Sequence, residues 1–278
     1  LSGGNWNLVA LSRNPDGRPA KELRQRGIEV HQADLENSQD LMAAFKGAYG
    51  VYGVTTPMTA KGKLDMQMEQ RQGINIADAC LANQVAHLVM STAFYIDKAQ
   101  EVVPYIHSKR EIERYIAAKE IPYTILQPAS FMDEIGGEFM PVKNGVVTGQ
   151  ADDDAKVPYI ACQDIGEYAR LAFENPDKFI GQKLNLVAEL VSGNELAETL
   201  TKVNNGQRFR HKAPPIWLMW IFAREWITLR KQFESWGRPP HPEVMLQALE
   251  SSHQLHPELL TFEQYLRNTG FSSAKRSS

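Results

Sequence analysis

The chain has 278 residues, of which 43% are hydrophobic and 23% are charged, with 19 glycines and 15 prolines. These proportions are typical of a folded globular protein and argue against a disordered or fibrous chain. The formal net charge of −3 offers no positive field, so we expect no nucleic-acid partner. The length leaves room for one large α/β domain or two modest ones.

The two cysteines, Cys80 and Cys162, cannot form a disulfide framework and lack the spacing of a zinc site. We expect both to be small core residues of a cytoplasmic protein. The longest apolar run, 216–223, is much shorter than the roughly 20 residues of a membrane span, and no secretory signal is visible. Neither a membrane contact nor a bound metal is therefore predicted.

From the start of the chain to about residue 130, short β-type runs alternate with amphipathic segments of helix length. Strands are predicted at 8–11, 28–32, 51–54, 87–90 and 123–126, with helices at 19–26, 41–46, 64–82 and 106–118. This alternation predicts an α/β fold, a doubly wound parallel sheet of the Rossmann type.

After Pro128 the pattern changes to short strands at 145–149, 157–161 and 181–187 and a helix near 164–173. The Ser-x-x-Glu run Ser192–Glu195 predicts a capping box at the start of a helix that ends near Val203. The rest is predicted to be mainly helical. We predict a dinucleotide-binding core over 1–135 and a smaller substrate region over 136–278, interleaved with the core rather than independent.

One glycine pattern, Gly47-x-x-Gly50-x-x-Gly53, invites comparison with a phosphate-binding loop. Such a loop follows a strand and opens a helix, because the helix N-terminus faces the pyrophosphate. This run follows a predicted helix and enters a predicted strand. We therefore expect it to bind no phosphate.

A better candidate is the turn Ser12-Arg13-Asn14-Pro15 after the first predicted strand. In dinucleotide-binding folds this turn holds an acidic residue for an unphosphorylated ribose, whereas an arginine suits a 2′-phosphate. Arg13 therefore predicts NADP(H) in preference to NAD(H). The alternative is an ordinary solvated arginine, which is how we interpret Arg18 and the nearby Lys21.

The spacing Tyr-x-x-x-Lys places a phenol and an ammonium on one face of a helix, where the cation favours proton transfer from the phenol. The sequence contains it as Tyr105/Lys109 and as Tyr115/Lys119. Ligands of open α/β sheets bind where helices begin, which favours Tyr105 and Lys109. Lys119 is better explained as a partner of the helix C-terminus.

Two hydroxyl residues, Ser91 and Thr92, follow a predicted strand on the same edge of the sheet as Tyr105. Either could polarise a substrate carbonyl, with Ser91 preferred, or satisfy a strand-end backbone group. His107 lies on a different helix face and is expected to be exposed.

Four of the five tryptophans lie in the segment 217–236. Their helical spacing favours a core helix, with a flat hydrophobic substrate lid or a protein-binding surface as the alternative.

Several segments together resemble the NmrA-like family, an atypical branch of the short-chain dehydrogenase/reductases. They are Val9-Ala10-Leu11-Ser12-Arg13-Asn14-Pro15, Gln32-Ala33-Asp34-Leu35, His107-Ser108-Lys109, Tyr123-Thr124-Ile125-Leu126-Gln127-Pro128, and Val157-Pro158-Tyr159-Ile160 with Asp164-Ile165-Gly166. The resemblance covers most of residues 6–205.

The resemblance implies a role for each matching residue toward NADP(H). Arg13, with Asn14 beside it, would meet the 2′-phosphate, and Lys109 the nicotinamide ribose. Further cofactor contacts are implied for Asp34 and Leu35 near adenine, for Thr55, Thr56 and Pro57 along the dinucleotide groove, and for Pro128, Ala129, Ser130 and Phe131 around the nicotinamide.

Tyr105 matches the tyrosine of the reductases, which many NmrA-like proteins lack. The resemblance therefore implies an NADPH-dependent reductase of a small carbonyl or quinone, with Tyr105, Lys109 and Ser91 as its catalytic residues. The alternative is an NADP(H)-sensing regulator without turnover that binds a protein partner. In the family, a first strand and its Gly-rich turn, about twenty residues, precede the position of Leu1, so a chain that binds no dinucleotide is a third hypothesis.

Overall fold

The computed structural model describes residues 6–97, 104–149, 151–222 and 227–271, except for the side chains of Pro104, Tyr105, Leu218, Ile221 and Phe222. Two compact units divide the chain. Unit 1 comprises 1–92, 105–126 and 166–184, and unit 2 comprises 93–104, 127–165 and 185–278. The predicted division at residue 135 stays a prediction.

The first elements of the chain alternate strand and helix. They are β1 (Val9–Ser12), α1 (Arg18–Gln25), β2 (Glu29–Gln32), α2 (Ser38–Ala44), β3 (Gly50–Val54), α3 (Met66–Ala82), β4 (His87–Ser91), α4 (Pro104–Ala117) and β5 (Tyr123–Pro128). Every strand and helix predicted in this part is present, within a few residues of its predicted limits. The α/β fold with parallel pairing is thus confirmed.

The remaining strands are β6 (Ser130–Phe131), β7 (Val142–Lys143), β8 (Val146–Thr148), β9 (Val157–Ile160), β10 (Lys183–Leu186), β11 (Glu189–Val191) and β12 (Arg210–Lys212). The remaining helices are α5 (Cys162–Glu174), α6 (Pro176–Phe179), α7 (Gly193–Val203), α8 (Ile216–Phe222), α9 (Ile227–Trp236), α10 (Glu243–Leu255) and α11 (Phe262–Asn268). The last part of the chain is therefore mainly helical, as predicted. None of the helices in the described ranges is long and apolar enough to cross a membrane.

Parallel strands form the sheets of unit 1. β3 pairs with β4, and β4 with β5, in the order β10-β5-β4-β3, while β1 pairs with β2 in a separate sheet. No ladder in the described ranges joins β1 to β3. A Rossmann-type strand order places another parallel strand at this position.

Local sequence signals explain where the helices of unit 1 begin. Asn37 caps α2 by accepting from the Gln39 N–H, and Asp65 caps α3 by accepting from the Met68 N–H. Within α3, Gly73 permits a close approach to α4, because a Cβ there would lie 2.5 Å from Cγ1 of Ile112. The helices α3 and α4, which carry candidate site residues, are thus packed closely against each other.

The core of unit 1 includes the fully buried Leu41, Ile76, Leu88, Met90 and Ile125. Cys80 belongs to this core, as predicted, and burial raises the pKa of its thiol to about 12. Cys162 is exposed at the start of α5, so its prediction as a core residue is wrong. Cysteine is small and apolar, so its identity alone does not distinguish an exposed helix start from a buried core position.

Unit 2 contains two small sheets, ordered β11-β9-β6 and β12-β8-β7. The predicted capping box at α7 is present: Ser192 accepts from the Glu195 N–H, and Glu195 accepts from the Ser192 N–H. Tyr159 packs its ring edge-on against Phe262 with centroids 5.2 Å apart. Burial raises the pKa of Tyr159 well above its usual range, so this phenol stays neutral.

A buried histidine connects strands of the unit 1 sheet. His87 is 0% exposed, and its Nε2 lies 2.8 Å from the Thr124 hydroxyl. That hydroxyl donates to the Phe179 carbonyl at 2.7 Å, so it accepts from the Nε2–H of a neutral imidazole. The other ring nitrogen, Nδ1, has no hydrogen-bond partner in the described part of the chain.

We expect this histidine to make the protein acid-sensitive. Burial lowers the pKa of His87 from 6.5 to about 4, so between these values the unfolded chain binds more protons than the folded one. Its contribution to stability is complete above pH 6.5 and is lost as the pH falls through 4. The loss amounts to about 3 kcal/mol in the free energy of unfolding, measurable by urea titration across this range.

The variant His87→Gln keeps a donor toward Thr124 but cannot titrate, so its stability should depend less on pH in this window. The exposed His107→Gln is the control and should keep the pH dependence of the unaltered protein. Equal slopes for all three proteins would refute the assignment to His87.

Candidate functional site

Parallel pairing aligns the carboxyl ends of β3 and β4 at one edge of the unit 1 sheet. Thr55 follows β3 directly, and Ser91 ends β4. The helix α4 carries Lys109, whose Nζ lies 3.4 Å from the Thr55 carbonyl oxygen. The structure therefore brings Thr55 and Lys109 together at the edge where ligands of open α/β sheets bind.

Lys109 is buried in an ion pair with Glu69 of α3. The Nζ atom lies 2.7 Å from Glu69 Oε1, and the side chains are 10% and 0% exposed. The same carboxylate accepts from the Thr55 hydroxyl at 3.1 Å and from the Ser108 hydroxyl. Three donors thus occupy the Glu69 carboxylate. Of the three N–H donors of the Lys109 ammonium, two bond to Glu69 and the Thr55 carbonyl among the described residues, so one remains for a ligand.

Glu69 was not predicted from the sequence. A carboxylate in a helix ordinarily faces solvent. The sequence held one signal that Glu69 is buried: its spacing from Gly73 and Ile76 places it on the apolar face of α3.

The groove residues after β3 are held by α3. Thr55 is buried and Thr56 exposed. The Thr56 N–H lies 3.5 Å from Gln72 Oε1, and the Pro57 carbonyl accepts from the Asp65 N–H at 2.7 Å. The segment 55–57 therefore has a fixed backbone next to Lys109.

The two hydroxyl candidates at the end of β4 differ in availability. Thr92 donates to Glu113 Oε1 at 2.6 Å, and Glu113 Oε2 pairs with Lys183 Nζ at 2.8 Å. The Thr92 proton is thus committed to a buried carboxylate. Ser91, which is 3% exposed, forms no such bond to a carboxylate in the described ranges, so it is the better candidate donor.

The turn after β1 presents a cation. Arg13 and Asn14 are exposed, and Arg13 forms no ion pair with any described residue. Arg24 fixes the turn by donating to the carbonyls of Pro15 at 2.6 Å and Val30 at 3.3 Å. An exposed guanidinium on a fixed turn suits phosphate recognition. Arg18, by contrast, pairs with Glu22 at 2.8 Å in solvent, as predicted.

The predicted adenine-side residues lie in the turn after β2. Asp34 Oδ1 accepts from the Glu36 N–H at 3.0 Å, and the Leu35 carbonyl accepts from Asn75 Nδ2 at 2.9 Å. Both side chains are half-buried. Their contact with a cofactor stays a prediction.

Tyr105 lies in the first turn of α4, but its side chain is outside the described part of the structure. The competing pair is engaged elsewhere: the Tyr115 hydroxyl donates to Asp78 at 2.7 Å, and Lys119 Nζ lies 4.6 Å above the Tyr115 ring. His107 is exposed, as predicted.

The glycine pattern serves packing. Gly47, with φ +76°, follows α2, while Gly50 and Gly53 lie within β3. A Cβ at Gly50 would lie 2.5 Å from the Phe173 ring, and one at Gly53 would lie 2.8 Å from Met90 Sδ. This agrees with the prediction that the run is no phosphate loop.

The predicted nicotinamide-side residues belong to unit 2. The Pro128 carbonyl accepts from the Phe94 N–H at 2.9 Å, and the Ala129 N–H donates to the Leu186 carbonyl at 3.0 Å. Ser130 and Phe131 form β6 and are half-buried. Their predicted roles are untested.

The tryptophan-rich segment is divided between α8 and α9. Trp217 and Trp220 of α8 are 66% and 54% exposed, so the prediction of a core helix is wrong there. Phe233 of α9 is buried, and Trp236 packs edge-on against Tyr95 at 4.8 Å. Helical spacing alone could not distinguish these two environments; Trp226 lies outside the described residues.

A family model described as "NmrA-like family" matches residues 1–266. An NmrA-like family domain-containing protein of Dictyostelium discoideum is 27% identical over 221 residues, 74% of this chain and 71% of that protein. An NmrA-like family domain-containing oxidoreductase, FrzB of Cladobotryum sp, is 24% identical over 233 residues, 75% of this chain and 68% of that protein.

Solved structures share the fold. NmrA, described as a negative transcriptional regulator, has a TM-score of 0.76 at 17% identity, with 98% of this chain and 93% of that chain covered. The triphenylmethane reductase of Citrobacter sp., complexed with NADP(H), has a TM-score of 0.72 at 18% identity, covering 94% and 90%. NADPH-dependent quinone oxidoreductase QOR2 of Escherichia coli, complexed with NADPH, has a TM-score of 0.68 at 18% identity, with 95% of this chain and 91% of that chain covered.

Proposed function

The chain belongs to the NmrA-like family, and one of its relatives is named as an oxidoreductase. We propose that the chain is an NADPH-dependent reductase of a small carbonyl compound or quinone. The observation that carries the proposal is the buried Lys109 at the carboxyl ends of parallel strands, 2.7 Å from Glu69. A reductase needs a fixed cation next to the cofactor ribose and the proton donor, and this cation must keep an N–H group free to bind the ribose.

The described residues fit a phosphorylated dinucleotide at two separate points. Arg13 offers an exposed guanidinium for the 2′-phosphate, and Lys109 offers a donor for the nicotinamide ribose. Asp34, Leu35 and the segment 55–57 would line the adenine side and the groove. Asn14 would flank the phosphate, and Pro128, Ala129, Ser130 and Phe131 the nicotinamide.

The bound nicotinamide would supply the hydride. In our proposal Tyr105 delivers a proton to the carbonyl oxygen of the substrate, and Lys109 supports it electrostatically. Ser91 donates a hydrogen bond to the same oxygen. The ion pair with the buried Glu69 fixes the position of the Lys109 ammonium, so the protein contributes orientation and electrostatics.

Cofactor choice supplies a test. Removing an arginine from a phosphate contact costs about 2 kcal/mol or more, so Arg13→Glu should weaken NADPH binding at least about thirtyfold. NADH, which lacks the 2′-phosphate, should bind nearly unchanged. Titration calorimetry with both cofactors measures the difference.

Arg18→Glu is the matched control, because Arg18 is the first residue of α1, shortly after the same turn, but pairs with Glu22 in solvent. It should leave both affinities unchanged. Equal weakening of NADPH and NADH by Arg13→Glu would show that Arg13 does not read the phosphate.

The second candidate is an NADP(H)-sensing regulator that binds a protein partner. The first turns of α8 favour it, because they expose Ile216, Trp217 and Trp220 to 37%, 66% and 54%, and exposed apolar side chains grouped on one element are common at interaction surfaces. It predicts a partner whose affinity changes with cofactor and survives Tyr105→Phe. A homodimer and a cytoplasmic location are proposed from the sequence alone.

A further inference from the structure

The helix α8 presents an apolar stripe to solvent. Its residues, 216–222, are all apolar. Successive residues of an α-helix are about 100° apart, so Ile216, Trp217 and Trp220 lie within an arc of about 100°. These three side chains are 37%, 66% and 54% exposed. An apolar stripe of this width ordinarily packs against a core, so α8 exposes the kind of face that a core helix buries.

Contacts with α9 fix the position of α8 on a different side. Arg230 of α9 is buried, and its guanidinium donates to the carbonyl of Pro214, just before α8. The same guanidinium lies 3.8 Å from Sδ of Met219, which is half-buried. Glu234 neutralises Arg230 at 2.6 Å. The helix is therefore attached to unit 2 through Met219 and the preceding turn, while its stripe faces water.

Basic side chains lie on the strand that leads into α8. In β12, Arg210 and Lys212 are exposed, whereas the side chain of His211 between them is 2% exposed and pairs with Asp153. Because side chains alternate along a strand, Arg210 and Lys212 project from the same face. Neither forms an ion pair with a residue in the described ranges. Two uncompensated cations thus stand shortly before Ile216.

The charge of this part of the chain is opposite in sign to that of the whole. The segment 205–233 contains six lysines and arginines and one acidic residue, although the formal net charge of the chain is −3. An exposed apolar helix with flanking cations complements a surface that is both apolar and anionic, which is the surface of a bilayer with acidic head groups. Tryptophan rings also favour the interface between lipid and water.

The size of the stripe favours a bilayer over a protein partner. Aromatic side chains have about 150–250 Å² of surface each, so the exposed parts of Ile216, Trp217 and Trp220 amount to roughly 300 Å². Each partner in a standard protein interface buries about 800 Å². Binding to a bilayer needs fewer apolar side chains, because electrostatic attraction to anionic lipids adds to the apolar burial.

We propose that α8 and β12 bind the surface of an anionic lipid bilayer, with Trp217 and Trp220 inserted among the head groups and Arg210 and Lys212 beside them. The run 216–223 is too short for a span, which is why no membrane contact was predicted. A helix that lies in the plane of the surface needs no such length. The contact uses none of the residues assigned to the cofactor or to the reductase chemistry.

Flotation of the whole chain with phosphatidylcholine vesicles, prepared with and without phosphatidylserine, tests the charge requirement. The chain should bind the vesicles that contain phosphatidylserine, bind the others much more weakly, and be released by high salt. Arg210→Glu/Lys212→Glu should weaken binding at least about tenfold. The matched control is Lys61→Glu/Lys63→Glu, an exposed pair with the same spacing in unit 1, which should bind like the unaltered chain.

A second variant tests the apolar requirement. Trp217→Ala should also weaken binding at least about tenfold. Leu246→Ala is its control, because Leu246 is an exposed apolar residue, 47%, on α10 of the same unit, and it should leave binding unchanged. Quenching of tryptophan fluorescence by brominated lipids reports insertion in the unaltered chain and decides the question if Trp217→Ala melts at a lower temperature.

The absence of binding to anionic vesicles overturns the proposal, as does binding without quenching by brominated lipids. Equal binding by Arg210→Glu/Lys212→Glu and its control also overturns it. If the chain does not bind vesicles and Trp217→Ala instead dissociates a dimer in analytical ultracentrifugation, the stripe is a protein interface and the proposal is wrong. NADPH is absent throughout, so the result is independent of the reductase activity.

Discussion

Replacing Lys109 with methionine should lower the free energy of unfolding by about 3–5 kcal/mol, because it leaves an uncompensated buried charge. Glu69 is 0% exposed and has Lys109 as its counter-ion at 2.7 Å. The hydroxyls of Thr55 and Ser108 still donate to the carboxylate, but they do not neutralise it. Urea denaturation of the variant and the unaltered protein measures the difference.

The double variant Lys109→Met/Glu69→Gln should recover most of this stability, because glutamine removes the charge and keeps an acceptor for Thr55. It should not recover reductase activity, since the cation is absent. Stability and activity are thereby separated. A double variant no more stable than Lys109→Met would contradict the account of the ion pair.

The control is Lys119→Met. Lys119 pairs with Asp78 at 3.8 Å, with side chains 33% and 50% exposed. Exposed pairs of this kind contribute about 0–1 kcal/mol, so this variant should unfold almost like the unaltered protein. The contrast isolates the effect of burial.

Tyr105→Phe should lower kcat by about 10²–10⁴, the usual contribution of a positioned proton donor. NADPH affinity should stay unchanged, because the phenol is assigned to the substrate oxygen and not to the cofactor. Steady-state kinetics together with calorimetric titration of NADPH measure both quantities.

Tyr115→Phe is the matched variant, because it removes the other Tyr-x-x-x-Lys phenol from the same helix. Its hydroxyl donates to Asp78 on the surface, so we expect kcat to remain unchanged. Equal losses in both variants, or none in Tyr105→Phe, would assign the proton transfer to another group.

The sequence predicts the helices and strands of unit 1 well because each has a local signal. These signals lie in neighbouring residues and can be recognised without knowledge of distant contacts. They are the caps at Asn37 and Asp65, the glycines after α1 and α2, and the apolar run of β4. The position of Lys109 also followed from a local rule, since ligands gather where helices begin.

The remaining features depend on contacts between distant residues. Glu69 and Lys109 are 40 positions apart, so their ion pair has no sequence signature. The sequence does not show which of the hydroxyls of Ser91 and Thr92 is available to a substrate, because the bond from Thr92 to Glu113 joins residues far apart in the chain. The exposure of Trp217 and Cys162 likewise depends on what packs nearby, which periodicity does not report.

The most direct test of the reductase proposal is the oxidation of NADPH by the purified chain with a panel of quinones and aldehydes, followed by absorbance, with NADPH binding measured in parallel. We predict binding and substrate-dependent oxidation by the unaltered protein, with oxidation abolished in Lys109→Met/Glu69→Gln. NADPH binding without oxidation of any acceptor would contradict the reductase and favour the regulator.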